Sequence, residues 1–599
     1  MGDKEPPPAN TAAPALLKNM LILSSVPTLD AEREVELTRR KPSAFGGEAA
    51  DVKRGCEGIS AEALRPTQPE DSTEAARSSS INFLTCFAVA AAGASAAGFG
   101  YENAIIGPLA ALPAFVERYQ SPSDTASTSS GYVFTAVHQN ILFSIPLIGS
   151  IIGAVLATPL QNRFGRRGSL LLCYALSLAP LVLELFAPNL AAFVLGRFWN
   201  GIYYGVALAV GPLFLADLVP AAIRGRAVSS QNILTVGSQT LATVTVWATE
   251  SRQGALSYKI PLAVQCAIPV VLIALTLPLP ESPAWLVSKG RRDAARRSLA
   301  RLRSSSAQQV SLELAELIKA EEDKVRMEAK VHFWDIFRQS QLERTMVSAL
   351  IFSLNQCSGI ILSTTFSALF LVQLGVAQPF LLNVASSLCQ LAGAITAPLF
   401  MDRVGRRPLA IYGIAFLALI DFTTGALAFY INNERPQIAM TIAALSFIFN
   451  FFWTLSFYSI SLLTPSEYPA VHLRTPTMSY AIFNGQVTAV VTTFVVPQLT
   501  AADAAGLGAK TYMIFGAMNV VFVLLAYVYL PETAGRTPRE IEELYRSGLP
   551  KRAWATASVG AQCSQIETEE SMQRIVTSTT HATDKTANDA PILVTTGAA

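Results

Sequence analysis

Charged side chains recur in three sequence patterns, and each pattern occurs twice in the chain. The segment NRFGRRGSL is followed 240 residues later by DRVGRRPLA. In two places an acidic residue precedes an arginine by seven positions, and a glutamate follows a proline in both PESPAW and PETAGR. Carboxylate and guanidinium groups at helix ends form charge-assisted ion pairs, some of them bidentate. The residues concerned are Arg163, Arg166, Arg167, Asp217, Arg224 and Glu281 in the first copy, and Asp402, Arg403, Arg406, Arg407, Glu467, Arg474 and Glu532 in the second.

The three patterns occur in the same order in both copies, at offsets of 240, 250 and 251 residues. Such a repeat indicates two homologous halves in parallel orientation, an arrangement associated with transporters whose two bundles rock against each other. We therefore expect the charged residues to tie the two bundles together at a cytoplasmic gate, and to separate when that side opens. The alternative is that membrane topology alone places arginines in these loops.

The elements that must position these residues are apolar stretches of membrane-spanning length. Of the 599 residues, 51% are hydrophobic and 15% are charged, with a mean hydropathy of +0.38. A soluble protein has roughly 25% charged residues, so this composition argues against a soluble fold. Only helices of roughly 20 residues or closed barrels of shorter strands can cross a bilayer. We predict an all-α membrane protein with twelve transmembrane helices, near residues 81–110, 136–160, 168–187, 190–213, 228–249, 259–279, 345–373, 379–400, 409–431, 438–463, 477–499 and 511–530.

The short loops predict the orientation of these spans. Arginines follow the second, fourth and eighth spans, whereas the loops after odd-numbered spans carry little positive charge. Because positive loops stay in the cytoplasm, both termini are expected there. The predicted organisation is a disordered cytoplasmic tail over 1–80, a six-helix bundle over 81–280, a cytoplasmic loop with amphipathic helices over 281–344, a second six-helix bundle over 345–530 and a cytoplasmic tail over 531–599.

The remaining composition argues against several classes of function. Lysine and arginine number 45 and the acidic residues 43, so no basic field for nucleic acid is expected. The seven cysteines are scattered without a CxxC pair or a Cys/His cluster, which disfavours a disulfide scaffold and a metal site. The sequence has no HExxH motif or nucleophile–base grouping, so we expect neither an enzyme nor a cofactor.

These motifs resemble the sugar porter family of the major facilitator superfamily. FGYENAIIG is similar to the family's first-helix pattern, GRFWNGIYYG to its fourth-helix pattern and PESPAWLVSKGRR to its loop signature. IPLAVQC and the ending PETAGRTPREIEELY look most like the fungal-type hexose and disaccharide permeases. The resemblance runs from Phe99 to Tyr545. It implies a major facilitator fold of two six-helix bundles around a central cavity, in which side-chain amides bind the hydroxyl groups of a sugar or polyol.

The family's sugar-binding amides carry over unevenly to this sequence. The fifth-helix glutamine falls at Asn232, one place after Gln231, and only Gln356 remains of the seventh-helix pair, with Asn355 before it. The alternative for each amide is a hydrogen bond between helices, which contributes about 1 kcal/mol in a membrane. The substrate-binding residues that the resemblance implies are Gln231, Asn232, Asn355, Gln356, Gln390 and Asn484.

Four further positions depart from the family pattern. Thr365 and Phe366 stand where the family has an aromatic pair on the seventh helix. Together with the missing amides, this replacement implies a less polar site than a typical hexose site. Asn162 replaces the usual aspartate of the first loop and Ala284 replaces an arginine, so the amino-terminal part of the gate is expected to be weaker.

Glu102 lies within the first predicted span, where proton-coupled family members have a carboxylate and many uniporters have a neutral residue. An ionised carboxyl group inside a membrane is costly, so it needs a proton or a partner. The family's matching partner falls at Arg197, and protonation of Glu102 would release it and couple proton to sugar movement. The alternative is a static pair that fixes helix packing. Glu184 is expected to reach the headgroup region, and Asp421 has no assigned partner.

The expected activity is secondary active transport of a sugar or polyol, with proton symport, by a multi-pass protein of the plasma membrane. A monomer in the lipid bilayer suffices for this activity. Facilitated diffusion is the alternative within the same class, and the role of Glu102 decides between the two. A sugar sensor that keeps the fold without transporting is the alternative from a different class.

Overall fold

The computed structural model describes residues 83–120, 134–220, 224–303, 307–328, 332–373, 376, 378–430, 436–501, 503–536 and 538–556. These residues form helices joined by short turns, and no strand occurs among them. The predicted tail over 1–80 and residues 557–599 of the second tail lie outside the described residues.

The first half contains seven helices, with a 3₁₀ turn over Ala94–Ala96 between the first two. One helix covers both the second and the third predicted spans. It bends at Gly165, whose φ of +82° lies in the left-handed region that glycine adopts without strain. The helices are α1 (Phe83–Gly93), α2 (Ala97–Ala111), α3 (Pro113–Tyr119), α4 (Ala136–Leu185), α5 (Leu190–Leu218), α6 (Arg224–Thr249) and α7 (Leu256–Thr276).

The polar stretch between the halves also contains helices. These are α8 (Pro283–Ser288), α9 (Arg292–Leu302) and α10 (Ala307–Glu328). In α9 the buried residues Ala295, Ser298, Leu299 and Leu302 follow helical spacing. The helix therefore has one buried face, as an amphipathic helix should.

The second half begins with a short 3₁₀ turn over Phe333–Phe337. The predicted seventh span is interrupted after Gln356 and restarts at Ile360, where Gly359 has a φ of +87°. The tenth span contains a π-helical turn over Trp453–Tyr458. The helices are α11 (Gln339–Gln356), α12 (Ile360–Ser363), α13 (Ser367–Gln373), α14 (Pro379–Val404), α15 (Arg406–Leu427), α16 (Pro436–Phe452), α17 (Ser459–Glu467), α18 (Arg474–Thr500), α19 (Tyr512–Tyr529) and α20 (Pro538–Arg546).

The helices confirm an all-α membrane architecture. Within the described ranges, nine helical segments are long and apolar enough to cross a membrane, and α4 alone covers two predicted spans. The predicted first and fifth spans are also helical, as α1–α2 and α6, although neither is among these nine segments. Helices thus occupy all twelve predicted stretches, and the count of twelve crossings stays a prediction.

Small residues bring α4 and α5 into close contact. Gly149 and Gly153 on α4 face Gly201 and Gly205 on α5, and a Cβ atom at any of these four positions would lie 2.1 to 2.4 Å from a carbonyl oxygen of the other helix. Such four-residue spacing of glycines is how membrane helices approach closely. The contact fixes the position of α5 and therefore of the charged residue that it carries, Arg197.

Candidate functional site

Two charged side chains of the first half meet inside the membrane-spanning region. Nη1 of Arg197 on α5 lies 3.0 Å from Oε1 of Glu102 on α2, and Nη2 also donates to the Glu102 carbonyl at 3.4 Å. Glu102 is 3% exposed and Arg197 2% exposed. The structure therefore brings together the two residues for which the sequence predicted proton coupling.

Two amides that the sequence analysis missed complete this ion pair. Nδ2 of Asn200 donates to Oε2 of Glu102 at 2.7 Å, and Nε2 of Gln265 on α7 donates to the same oxygen. Asn200 follows Arg197 by three positions and so shares its helix face, and Gln265 is a polar residue in an apolar span. Both signals were present in the sequence. The amides hold the carboxylate in place without adding charge.

The expectation that Glu184 reaches the headgroup region is wrong. Glu184 is 1% exposed, and its Cγ packs against Gly196 of α5, the residue next to Arg197. It lies close enough to Glu102 and Arg197 to interact with both charges. Its carboxyl group also lies near the side-chain amides of Asn200 and Gln265. The first half therefore buries two carboxyl groups beside one guanidinium group.

A small cavity opens beside the ion pair, between the two halves. Glu102 and Arg197 form part of its wall. The other lining residues are a mixture of polar, aromatic and aliphatic side chains from α2, α4 and α5 of the first half, with two threonines from the second half. They include Asn103, Ser150, Tyr204, Phe99, Phe143, Thr365 and Thr493. Hydroxyl and amide groups beside aromatic rings suit an uncharged ligand with several hydroxyl groups.

None of the six predicted substrate-binding amides belongs to the described lining of this cavity. Nε2 of Gln231 donates to Ser95 Oγ at 3.3 Å, Nδ2 of Asn355 to Ser461 Oγ at 2.8 Å, and Nδ2 of Asn484 to the Tyr480 carbonyl of its own helix at 2.9 Å. In this conformation these three amides make hydrogen bonds within one half. Gln390 is buried, and Asn232 and Gln356 are half-buried.

Asp421 on α15, which had no assigned partner, is fully buried in the second half. Its Oδ2 accepts a hydrogen bond from Nδ2 of Asn519 on α19 at 2.7 Å. The same Nδ2 donates to the carbonyl of Ser358 at 3.2 Å, at the break between α11 and α12. Asp421 therefore belongs to a polar cluster that braces this break, away from the cavity lining.

The first charged loop is organised around two carboxylates. Oε1 of Glu281 accepts hydrogen bonds from the backbone N–H groups of Arg166 and Arg167 at 2.9 and 3.0 Å, directly after the bend in α4. The side chain of Arg166 pairs with Asp217 at the end of α5, with Nε and Oδ2 3.2 Å apart. Ser282 Oγ donates to the same Oδ2 at 2.5 Å. One carboxylate thus caps a helix start, and a second holds the arginine.

The second charged loop repeats this geometry. Glu532 accepts hydrogen bonds from the N–H groups of Arg406 and Arg407 at 3.0 and 3.1 Å. Nη2 of Arg406 lies 3.6 Å from Oε1 of Glu467, and Thr533 Oγ1 donates to Oε2 of Glu467 at 2.6 Å. The repeat seen in the sequence is therefore a repeat in three dimensions, and it includes Ser282 and Thr533, which the sequence analysis did not single out.

The ion pairs of these two loops join residues of the same half. In this conformation the charges fix each loop to its own bundle, and their role as a tie between the bundles stays a prediction. Arg163 and Arg403 are exposed, and Arg474 begins α18. The side chains of Arg224 and Asp402 lie outside the described residues. We call the side of the bundle at which these loops lie the charged side.

The two halves meet on the side opposite to the charged side. The backbone at Gly107 of α2 approaches Thr365 so closely that a Cβ atom there would lie 1.9 Å from its carbonyl oxygen. The rings of Phe143 and Phe366 are 4.3 Å apart, and the N–H of Ala136 donates to Oδ2 of Asp503 at 2.9 Å. These contacts close the cavity from that side.

Two repeated helical halves around a polar cavity form the architecture of secondary transporters. The chain belongs to the sugar transporter family, because the family model for "Sugar (and other) transporter" matches residues 86–545. It is therefore a multi-pass membrane protein of that family.

Several characterised proteins are similar in sequence. A general alpha-glucoside permease of Saccharomyces cerevisiae is 27% identical over 469 residues, which cover 77% of this chain and 75% of the permease. A maltose permease of the same species is 28% identical over 468 residues, with the same coverage. A high glucose sensor of Saccharomyces cerevisiae is 27% identical over 463 residues, covering 75% of this chain and 59% of the sensor. These relatives are permeases and a sensor, which are not enzymes.

Solved structures share the fold. The xylose transporter XylE of E. coli in a partially occluded inward open conformation has a TM-score of 0.62 at 20% identity, over 76% of this chain and 99% of that protein. The same proton:xylose symporter bound to 6-bromo-6-deoxy-D-glucose has a TM-score of 0.61 at 21% identity, over 77% of this chain and 99% of that chain. The predicted major facilitator fold is confirmed.

Proposed function

We propose that the protein moves a sugar or related polyol across the plasma membrane by alternating access, in symport with protons. The observation that carries the proposal is the buried ion pair of Glu102 and Arg197 in the wall of a cavity between the halves. Membership of the sugar transporter family and the proton:xylose symporter with the same fold support it. Charged groups inside the membrane are costly and mark ion pathways.

The proposed coupling step is the transfer of one proton to Glu102 from the side to which the cavity opens. The proton binds a carboxylate oxygen and neutralises it, so the ion pair with Arg197 is lost. Arg197 then keeps only its weaker interaction with the nearby Glu184 carboxyl group, and breaking a buried ion pair costs about 3–5 kcal/mol. This cost favours a movement that exposes the cavity to the other side, where the proton leaves and the pair forms again.

Sugar recognition is assigned to the cavity and to the predicted amides around the membrane centre. Asn103, Ser150, Thr365 and Thr493 line the cavity and can donate and accept hydrogen bonds. The six predicted amides contribute when the halves rearrange, because the hydrogen bonds described for Gln231, Asn355 and Asn484 lie within one half. The charged side is assigned to the cytoplasm, since short positive loops stay there.

The proposal is tested by uptake of labelled hexoses, pentoses, disaccharides and polyols into cells without their own sugar carriers, at external pH 5 and pH 7. We expect one class of sugar to enter faster at pH 5, and Glu102→Gln to remove this pH dependence. Asp421→Asn is the matched control. It removes a buried carboxyl group that does not line the cavity, so the pH dependence should persist.

The two alternatives give different results in the same assay. Uptake that ignores pH in both wild type and Glu102→Gln would show facilitated diffusion and make the ion pair a packing element. Absence of any uptake by folded protein at the cell surface would favour a sugar sensor. The sequence similarity to a high glucose sensor is the observation that supports this second function.

A further inference from the structure

A second pocket lies on the charged side, outside the cavity described above. It has a volume of about 310 Å³ and is open to its surroundings. Its walls are the end of α7, the loop that follows it and one face of α9. Its lining contains three arginines together with several leucines and prolines. We call it the arginine pocket.

Three guanidinium groups give the arginine pocket a positive charge. Arg297 and Arg301 are four residues apart on α9, so they share one face of the helix, and both are exposed. Arg167 completes the set, and its Nη2 donates to the Leu277 carbonyl at 2.5 Å. The one acid of the lining, Glu281, is held by the backbone N–H groups of Arg166 and Arg167 described above. Three positive groups and one bound carboxylate favour an anion.

The apolar residues of the pocket lie next to an exposed apolar surface of α7. Leu277 lines the pocket and is 53% exposed at the end of α7. Val270 and Val271, up to two turns earlier on the same helix, are exposed as well. Exposed apolar side chains on a membrane helix contact lipid chains. A ligand with an anionic head and an apolar chain could therefore contact the arginines of the pocket and the apolar surface of α7 at the same time.

We propose that the arginine pocket binds the headgroup of an anionic phospholipid from the adjacent leaflet, with an acyl chain along α7. Basic pockets between helices at the cytoplasmic face of a membrane recognise such headgroups through their phosphate. Guanidinium groups suit this role because they donate two parallel hydrogen bonds to phosphate oxygens. The site is independent of sugar recognition and of Glu102.

The test measures lipid binding to the full-length protein in detergent. Phosphatidylserine and phosphatidylcholine are titrated and the bound lipid is counted by native mass spectrometry. Each arginine near an anionic lipid is expected to contribute about fivefold in affinity, so Arg297→Gln with Arg301→Gln should weaken phosphatidylserine binding about 30-fold. Phosphatidylcholine binding should not change.

The matched control is Arg292→Gln with Arg296→Gln. These arginines lie on the same helix, are exposed and do not line the pocket, so the variant loses the same charge. We expect less than a threefold effect. Equal losses in the two variants would show diffuse attraction and overturn the proposal, as would unchanged binding in the pocket variant.

Free phosphate is the other source of the same chemistry, and competition distinguishes it. Inorganic phosphate and glycerophosphoserine are added at the concentration of bound phosphatidylserine. A lipid site requires the acyl chain, so neither should displace the lipid. Displacement at equal concentration would identify a site for a soluble anion and overturn the lipid assignment.

Discussion

The repeated carboxylates of the charged side allow a quantitative prediction. Oε1 of Glu281 accepts three backbone hydrogen bonds, from Arg166, Arg167 and Ser282, at 2.9 to 3.0 Å. Replacement by glutamine keeps an oxygen acceptor of the same shape and removes the charge. Glu281→Gln therefore isolates the contribution of charge from that of packing.

The expected cost follows from these hydrogen bonds. A hydrogen bond to a charged group contributes about 1.5–3 kcal/mol and a neutral one about 0.5–1.5 kcal/mol. Three donors share one oxygen, so the loss of charge is expected to cost about 2 kcal/mol in total rather than a full difference for each bond. For a bundle of about 200 residues this corresponds to a fall in Tm of roughly 4–8 °C.

Glu532→Gln should cost at least as much as Glu281→Gln, because the donors to Glu532 are divided between Oε1 and Oε2 and glutamine keeps only one carboxyl oxygen. Glu532 also accepts three backbone hydrogen bonds, from Arg406, Arg407 and Ala534, at 2.9 to 3.1 Å. The two sites lie in different halves and share no partner, so the double variant should lose the sum of the two single effects.

The assay is thermal unfolding of purified protein in one detergent at one scan rate, because unfolding of a membrane protein is often irreversible. Glu316→Gln, an exposed position on α10, is the control and should shift Tm by less than 1 °C. The reasoning is refuted if Glu281→Gln matches this control, or if only one of the two copies responds.

Three further predictions concern single positions. Gly165→Ala should destabilise the first half, because φ is +82° and a Cβ atom would lie 2.5 Å from the loop carboxylate; a lower Tm than wild type is the readout. Gly107→Ala should prevent the close contact with Thr365 and open the cavity on the side opposite to the charged side. A cysteine placed in the cavity wall should then react faster with a membrane-impermeant thiol reagent. Burial raises the pKa of Glu542, but the hydrogen bond and charge of Arg344 outweigh it, so the pKa lies below its ordinary value. The pair therefore stabilises the carboxyl-terminal segment above the ordinary glutamate pKa of about 4.3 and this contribution is lost as pH falls through the lowered pKa. Limited proteolysis should show faster cleavage of the segment at acid pH in wild type and little pH dependence in Arg344→Gln.

The features that depend on residue type and spacing could be predicted from the sequence. Apolar length predicts the helices, and the repeated motifs predict two halves with matching loops. The pairing of Glu102 with Arg197 followed from the family resemblance, since the residues are 95 positions apart and composition alone does not join them. The predictions of helices and of matching loops agree with the structure because each depends on a strong and local physical constraint.

The features that the sequence analysis missed depend on how helices rotate against each other. The burial of Glu184 follows from the contact of α4 with Gly196, and spacing along one helix does not reveal this contact. Asn200 and Gln265 reach Glu102 because α5 and α7 converge on α2. The predicted amides make hydrogen bonds inside their own half, and these partners depend on the conformation of the protein. Helix rotation and conformational state are properties of tertiary packing, which a single sequence constrains weakly.

The two halves share their charged loops but differ inside the membrane, and this difference bears on mechanism. In the first half a carboxylate, a guanidinium group and two amides meet at the cavity wall. In the second half the buried carboxyl group of Asp421 is bonded to the amide of Asn519 and lies away from the cavity lining. A proton that arrives through the cavity therefore meets a titratable ion pair only in the first half among the described residues. Under the proposed mechanism, the matching loops allow the two bundles to move as equivalent bodies, and protonation of the single cavity-lining ion pair drives that movement. Corresponding exchanges in the two loops should then have comparable effects on stability, whereas an exchange at Glu102 should in addition remove the proposed coupling.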